Sequence, residues 1–149
     1  MPALVTFGRF LFAVLFIYSG VTKLFAIPAT ADIIASKFAI PVLIAPYATQ
    51  VETMTGMPTP QMLAVAVGVV EIISGLMIAL NFGARFFAIL LILFVATGTF
   101  YFNDFWNQSP PENAKSLIDA LKNLSIIGAL FIIAGVGRGA RMVEPVYEV

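Results

Sequence analysis

The sequence contains neither cysteine nor histidine. Without cysteine the chain cannot form a disulfide, exchange thiols or ligate an iron–sulfur cluster, and without histidine it has no imidazole for haem or copper. Any redox chemistry in which the protein takes part must therefore belong to a partner or a bound cofactor. The lack of cysteine does not identify the compartment, because a membrane helix bundle needs no disulfide.

Charged residues are also scarce. They make up 11% of the 149 residues, against roughly 25% in soluble domains. The formal net charge is zero and no loop carries a basic stripe, so the chain lacks the electrostatic footprint that nucleic-acid binding requires. Nucleic acid is excluded as a partner.

Apolar residues dominate what is present, at 60% of the chain, and the mean hydropathy is +1.00. Each long apolar stretch approaches the ~20 residues that cross a ~30 Å hydrocarbon core. The sequence therefore predicts an all-α, antiparallel four-helix bundle that forms one membrane domain over residues 1–149. The predicted spans are residues 4–27, 61–81, 84–101 and 117–136.

The first stretch has an alternative interpretation as a secretory signal peptide. Arg9 precedes an apolar run, and Ala29-Thr30-Ala31 resembles an A-x-A cleavage site. The run is too long for the apolar region of a signal peptide, however, and Lys23 interrupts the approach to the site. We therefore expect the first stretch to remain as a membrane helix.

The segment 28–60 separates the first two spans. Helical spacing of apolar residues in 33–38 is followed by Pro41 and Pro46, which we expect to interrupt the helix, and residues 55–60 are typical of a turn. We expect one or two short helices at the membrane interface.

The connection after the third span is aromatic. Its residues match the belt that meets lipid headgroups, and we prefer that interpretation to a ligand cage. They are Phe100, Tyr101, Phe102, Phe105 and Trp106.

The basic residues do not by themselves fix the orientation, because four lie on each side of the predicted bundle. Lys23 and Lys122 lie within or at the edge of spans rather than in loops, which favours cytoplasmic termini. One side would carry Arg9, Arg85, Arg138 and Arg141, and the other Lys23, Lys37, Lys115 and Lys122.

Glu71 lies near the middle of the second span, where it cannot reach water. An isolated carboxylate there is costly, by roughly 2.5 to 3.5 kcal/mol on insertion scales, so it should be protonated, hydrogen-bonded or paired. We expect spans one and four to pack on its face, with Lys122 as the nearest cation, Arg9 next, and Ser19 as a neutral partner. The small residues on that face are Ala64, Gly68, Gly75 and Ala79.

The first span presents one face that carries Arg9, Ala13, Phe16, Gly20 and Lys23. In the fourth span, Asp119 and Lys122 are three residues apart and can pair along the helix. A purely structural alternative also remains open. In that interpretation the side chains of Lys23 and Lys122 snorkel outward to the interface. Arg9 and Arg85 anchor the opposite interface, and Glu71 has a role in packing and folding only.

The ordered motifs resemble the DoxX family. Residues 9–24 read R-F-L-F-A-V-L-F-I-Y-S-G-V-T-K-L, similar to the first-helix signature of an Arg, an apolar run and S-G-x-x-K. The likeness extends from residue 9 to about 137. Further matches, in order, are Gly56-x-Pro58, Glu71 with Gly75, Gly83-x-Arg85, Phe105-Trp106, Lys122-Asn123-Leu124 and Gly128.

This resemblance implies a bacterial inner-membrane protein that accompanies a redox enzyme, as in the small subunit of a thiosulfate:quinone oxidoreductase. The chain departs from relatives that carry a redox cysteine pair, and its tail after Gly137 lacks their S-L-D ending. A direct thiol role is therefore doubtful. The resemblance implies a candidate polar site of Arg9, Lys23, Glu71, Arg85, Lys122 and Asn123. Ser19, which lies beside the same face of span one, is added to this site.

Three classes of function remain. The first is an accessory subunit of a larger, redox- or quinone-linked membrane complex, with a quinone or lipid between its helices and no intrinsic cofactor or metal. The second is an assembly or structural factor, and the third a small transporter that uses Glu71. No stand-alone catalytic centre is expected, since the acids form no recognisable pair and the serines have no base.

Overall fold

The computed structural model describes residues 2–137, and within this range the chain is almost entirely helical. Four of the helices, α1, α4, α5 and α6, are long and apolar enough to cross a membrane. The predicted four-helix membrane bundle is confirmed. The α-helices are α1 (Pro2–Phe25), α2 (Ile27–Lys37), α3 (Ala45–Thr55), α4 (Thr59–Ala79), α5 (Ala84–Phe102) and α6 (Glu112–Val136), with one 3-10 turn at Phe105–Asn107.

Prolines and glycines set several of the helix boundaries. Helices α2, α3 and α4 each have a proline in the first turn, where its missing N–H costs nothing. The sequence had suggested that Pro46 interrupts a helix. In the structure Pro46 lies instead in the first turn of α3. Gly56 ends α3 with φ 69°, a left-handed conformation that glycine adopts without strain.

Helices α1 and α4 are antiparallel and their backbones are in contact. A Cβ atom added to Gly20 would lie 2.5 Å from the carbonyl oxygen of Gly68. Farther along, a Cβ on Gly75 would lie 3.2 Å from the carbonyl oxygen of Ala13. Small residues therefore let the two helices approach as closely as helices can in a membrane.

Helices α5 and α6 form the second antiparallel pair. At one end the Asn123 amide donates to the Thr99 hydroxyl at 2.9 Å. At the other end Arg85 Nε donates to the carbonyl oxygen of Ala134 at 3.1 Å. The α4 helix also packs on α5, which joins the two pairs into one bundle.

The tightly packed core occupies only one half of the bundle. Its residues come from the middle of α1, the end of α4, the start of α5 and the end of α6, so it lies towards the end that holds Arg9 and Arg85. Ala88 is completely buried in this cluster, where its small side chain permits close helix packing. The buried members of this core cluster are Phe16, Ile78, Ala88, Leu91, Leu130 and Ile133.

The other half of the bundle is covered by α2. Ala31 and Ile34 are buried against Ala64 of α4, so α2 is packed onto the bundle, whereas α3 has no buried residue. Residues 29–31, which resemble a signal-peptide cleavage site, therefore lie within α2, a helix that packs on the bundle. Arg138 and Arg141, which were predicted on the same side as Arg9 and Arg85, lie outside the described residues.

Candidate functional site

Glu71 of α4 forms an ion pair with Lys23 of α1. The Lys23 ammonium lies 2.8 Å from Glu71 Oε2 and 3.0 Å from Oε1. The Glu71 side chain is 6% exposed and that of Lys23 29%, which makes this the most buried of the three ion pairs in the part of the chain described. The carboxylate inside the second span is therefore compensated by a cation.

Ser19 completes this cluster. It lies one helical turn before Lys23, and its hydroxyl oxygen accepts a hydrogen bond from the ammonium at 2.5 Å. We call Ser19, Lys23 and Glu71 the polar cluster. The prediction that Glu71 is paired is confirmed, but the prediction of Lys122 as its nearest cation is wrong. Ser19, expected as a neutral partner of Glu71, binds Lys23 instead.

Lys122 instead pairs with Asp119 at 3.0 Å on an exposed face of α6, as the three-residue spacing predicted. It cannot reach Glu71 because the small-residue face of α4 packs on α1, while α6 packs mainly on α5. The expectation that span four also packs on this face is wrong. Gly20 and Gly68 bring the backbones of α1 and α4 together beside the pair, so Lys23 turns inward instead of snorkelling.

Arg9 and Arg85 lie at the opposite end of the bundle and both bind the carboxyl end of α6. Arg9 Nη2 donates to the carbonyl oxygen of Val136 at 3.1 Å, and Arg85 Nε donates to that of Ala134. These carbonyls have no partner within the helix, and cations there also favour the helix dipole. The core cluster separates Arg9 from Glu71, so the expectation of Arg9 as its second partner is wrong.

The polar cluster lines a cavity of about 740 Å³ in the half of the bundle that α2 covers. Most of the wall is apolar, with side chains from α1, α2, α4, α5 and α6. The cavity is thus an apolar chamber with a charged pair on one wall. Its apolar lining includes Leu15, Phe16, Ile33, Ile34, Phe38, Leu63, Val67, Phe94, Val95, Tyr101, Phe102 and Ile126.

A second polar group lines the same cavity on α5 and α6. The Asn123 amide nitrogen donates to Thr99 Oγ1 at 2.9 Å and to Asn103 Oδ1 at 3.3 Å. Asn123 was predicted as a site residue, whereas Thr99 and Asn103 were missed. Their four-residue spacing on one face of α5 was the available signal, since neighbours at that spacing share a helix face.

Two side-chain contacts join α2 to α5 and the segment after it, beside the cavity. Lys37 pairs with Asp104 at 3.0 Å, and Phe38 meets Tyr101 edge to face with ring centroids 5.4 Å apart. Tyr101 and Phe102 also line the cavity. These two members of the expected aromatic belt are exposed residues that also form part of the cavity wall.

The chemistry available at this site is binding and hydrogen bonding. Among residues 2–137, no group of three or more His, Cys, Asp or Glu side chains could hold a metal ion. The polar cluster instead offers one ammonium, one carboxylate and one hydroxyl beside an apolar volume. An apolar lining with a few placed polar groups is typical of small-molecule pockets in proteins.

Fold and site together define a small multi-pass membrane protein with a largely buried ion pair on the wall of an apolar cavity. Residues 4–104 match the model of the DoxX family, and the chain belongs to that family. It is similar to the inner membrane protein YphA of Escherichia coli (strain K12), with 25% identity over 139 residues, which cover 93% of this chain and 86% of YphA. No solved structure matches the chain.

Proposed function

We propose that this protein is an accessory subunit of a larger membrane complex and holds an amphiphilic molecule, a quinone or a lipid, inside its bundle. The observation that carries this proposal is the cavity of about 740 Å³ with the polar cluster on its wall. That volume lies within the roughly 300 to 1,000 Å³ typical of ligand pockets. We place the protein in the bacterial inner membrane with its termini on the cytoplasmic side.

One half of the bundle contains the core cluster and the other contains the cavity. This division supports storage or presentation of a ligand. A transporter would need a polar path through both halves, and beyond Glu71 the path meets the core cluster, where Ile78, Leu91 and Leu130 are completely buried. The polar cluster is therefore accessible from the cavity side and sealed by apolar packing on the other. This arrangement favours binding over transport.

The residues around the cavity also favour an accessory role over catalysis. Lys23 and Glu71 bind each other, and Ser19 binds Lys23, so the cluster lacks the nucleophile with its separate base that a stand-alone hydrolytic or transfer site requires. Electron transfer would depend on a molecule in the cavity or on a partner. Membership of the DoxX family agrees with a small membrane component of this kind.

The ligand part of the proposal is tested by filling the cavity. Gly98 lines it, and a Cβ added there meets no atom within 4 Å. Gly98→Leu should therefore fold normally while displacing the molecule held in the cavity. Gly128→Leu is the matched control, because Gly128 is an exposed helical glycine with the same open surroundings.

Mild extraction followed by mass spectrometry of small molecules and proteins provides the readout. Wild type and Gly128→Leu should retain a quinone or lipid that Gly98→Leu loses, and each should bring a partner subunit with it. Equal retention by both variants would contradict the ligand site. Purification of the wild-type chain without any partner, across several mild detergents, would contradict the accessory role.

A further inference from the structure

We infer that the cavity selects an uncharged molecule whose carbonyl or ester oxygen accepts a hydrogen bond from Lys23, and that it rejects carboxylates and other anions. This inference rests on the ligand site of the proposed function and adds its specificity. It follows from the geometry and net charge of the polar cluster.

The Lys23 ammonium has three N–H donors in a tetrahedral arrangement. One points to Ser19 Oγ at 2.5 Å. The two Glu71 oxygens, at 2.8 and 3.0 Å, belong to one carboxylate and lie too close together for two separate N–H bonds at tetrahedral angles. They share one donor, and a third N–H is left for another acceptor.

That third donor belongs to a side chain that is 29% exposed and lines the cavity. Ser19 contributes a further donor. Its oxygen accepts from Lys23, and no acceptor for its own hydroxyl hydrogen is found among residues 2–137. One N–H of Lys23 and the hydroxyl hydrogen of Ser19 are therefore free to donate hydrogen bonds to acceptor atoms of the ligand.

Charge decides which kind of acceptor is suitable. Lys23 and Glu71 neutralise each other, so a neutral ligand leaves the cluster neutral. An anionic ligand would bring a second negative charge next to Glu71 in an apolar environment, where uncompensated charge is expensive. A carbonyl or ester oxygen meets the donors without adding charge.

The wall formed by α5 and α6 also offers a hydrogen-bond donor to the cavity. Asn103 uses its carbonyl oxygen to accept from Asn123 at 3.3 Å, and in the described part of the chain its amide nitrogen has no partner of its own. An uncharged molecule with a second acceptor can therefore be held by both polar walls, with its apolar body against residues such as Val67 and Phe94.

Two sources supply this chemistry, a quinone and a neutral ester lipid, and a set of probes distinguishes them. The protein is reconstituted in phosphatidylcholine nanodiscs, and equilibrium binding is measured for four amphiphiles. A decyl-substituted benzoquinone and dioctanoylglycerol represent the two carbonyl sources. The matching hydroquinone replaces carbonyl acceptors by hydroxyls, and decanoate represents an anion with an alkyl chain similar in length to that of the quinone.

The test variant is Lys23→Met/Glu71→Met, which removes both charges together and leaves no unpaired one, at similar side-chain volume. Lys122→Met is the matched control, because Lys122 is exposed, lies within an α-helix and is not a lining residue of the cavity. Thermal unfolding of each variant verifies that the fold is intact. Ser19→Ala removes the second donor and leaves the ion pair.

We expect the benzoquinone, dioctanoylglycerol or both to bind wild type and Lys122→Met equally. The double variant should bind the preferred probe roughly ten- to a hundred-fold more weakly, the range for one hydrogen bond from a charged donor. Decanoate should bind at least about ten-fold more weakly than the preferred carbonyl probe, a difference of ~1.4 kcal/mol. Whichever carbonyl probe binds more tightly identifies the source.

Decanoate binding as tightly as the carbonyl probes, tighter binding of the hydroquinone than of the benzoquinone, or unchanged binding by the double variant would each overturn the inference. None of these outcomes affects the proposed function, which requires only that a molecule is retained and a partner co-purifies. Saturable binding of no probe would also overturn the inference. Retention of a native molecule by the wild-type chain would still support the proposed function.

Discussion

The Lys23 ammonium lies 2.8 Å from the Glu71 carboxylate, although 48 positions separate the two residues in the chain. This contact links α1 to α4 at the wall of the cavity, and it depends on close backbone approach at Gly20 and Gly68. The pair satisfies an acid that would otherwise destabilise the second span. It also holds the Lys23 ammonium, the charged donor that we propose binds the ligand's carbonyl or ester oxygen.

Removal of one member of the pair should destabilise the protein more than removal of both. Glu71→Ala leaves the Lys23 ammonium without its counter-ion, and breaking a buried pair in this way costs about 3 to 5 kcal/mol in soluble proteins and less in membranes. Glu71→Gln should cost less, since it retains a hydrogen-bond acceptor. Thermal unfolding in a mild detergent measures these differences.

The double variant Lys23→Met/Glu71→Met should unfold close to the wild-type temperature, because apolar residues of similar volume replace the whole pair. Lys122→Met is the control for loss of an exposed cation and should change stability by less than about 1 kcal/mol. Equal stability of wild type and Glu71→Ala would show that the pair has no structural role.

Gly20→Ala should separate α1 from α4. The added Cβ would lie 2.5 Å from the carbonyl oxygen of Gly68 and 2.8 Å from Ile72 Cγ1, and the backbone atom cannot move aside without shifting a helix. Overpacking of this kind typically costs about 1 to 3 kcal/mol. Gly128→Ala, where the new Cβ meets open space, should be neutral or slightly stabilising in the same unfolding assay.

Arg9 and Arg85 bind the end of α6 from different environments, so their loss should have unequal effects. Arg9 is 7% exposed, and Arg9→Met removes a buried charge-assisted hydrogen bond, worth about 1.5 to 3 kcal/mol. Arg85 is exposed, and Arg85→Met should cost less than about 1 kcal/mol. Equal destabilisation in thermal unfolding would show that burial of Arg9 is irrelevant to its contribution.

Glu52 should make stability depend on pH at the start of α4. The Thr59 backbone N–H donates to this carboxylate at 2.6 Å. The Thr59 side chain first, and its N–H second, lower the pKa of Glu52 from its ordinary value of 4.5. Because the pKa is lower in the folded chain, the contact stabilises the fold above that value.

This stabilisation should be lost as the pH falls below 4.5 and through the lowered pKa of the folded chain. Glu52→Gln keeps a hydrogen-bond acceptor and does not titrate, so its unfolding temperature should fall less with acidification. Unfolding scans from about pH 6 to about pH 3 compare the two proteins across the titration range of carboxyl groups. Parallel curves would show that Glu52 is not linked to folding.

The orientation can be tested directly, because the absence of cysteine makes every introduced cysteine unique. Thr53 on α3 and Phe82 between α4 and α5 are both exposed and flank α4 on opposite sides. In intact spheroplasts, a membrane-impermeant maleimide should label Thr53→Cys and leave Phe82→Cys unlabelled until lysis. The opposite pattern would reverse the proposed orientation.

The sequence alone determined the number of spans, because hydropathy and length respond directly to the thickness of the bilayer. It also determined which faces of α1 and α4 are packed. The expected face of α1 is observed, with Arg9, Ala13, Phe16 and Gly20 buried. Local spacing was equally reliable for Asp119 and Lys122, since residues three apart on a helix are neighbours wherever the helix lies.

Only the tertiary structure decided which cation meets Glu71. The sequence gives the depth of a residue in the membrane, and by depth Lys122 was the nearest candidate with Arg9 next, but depth does not say which helix lies beside α4. That choice depends on backbone contact at Gly20 and Gly68. The cavity was hidden for the same reason, because its wall is assembled from side chains of five helices that are far apart in the chain.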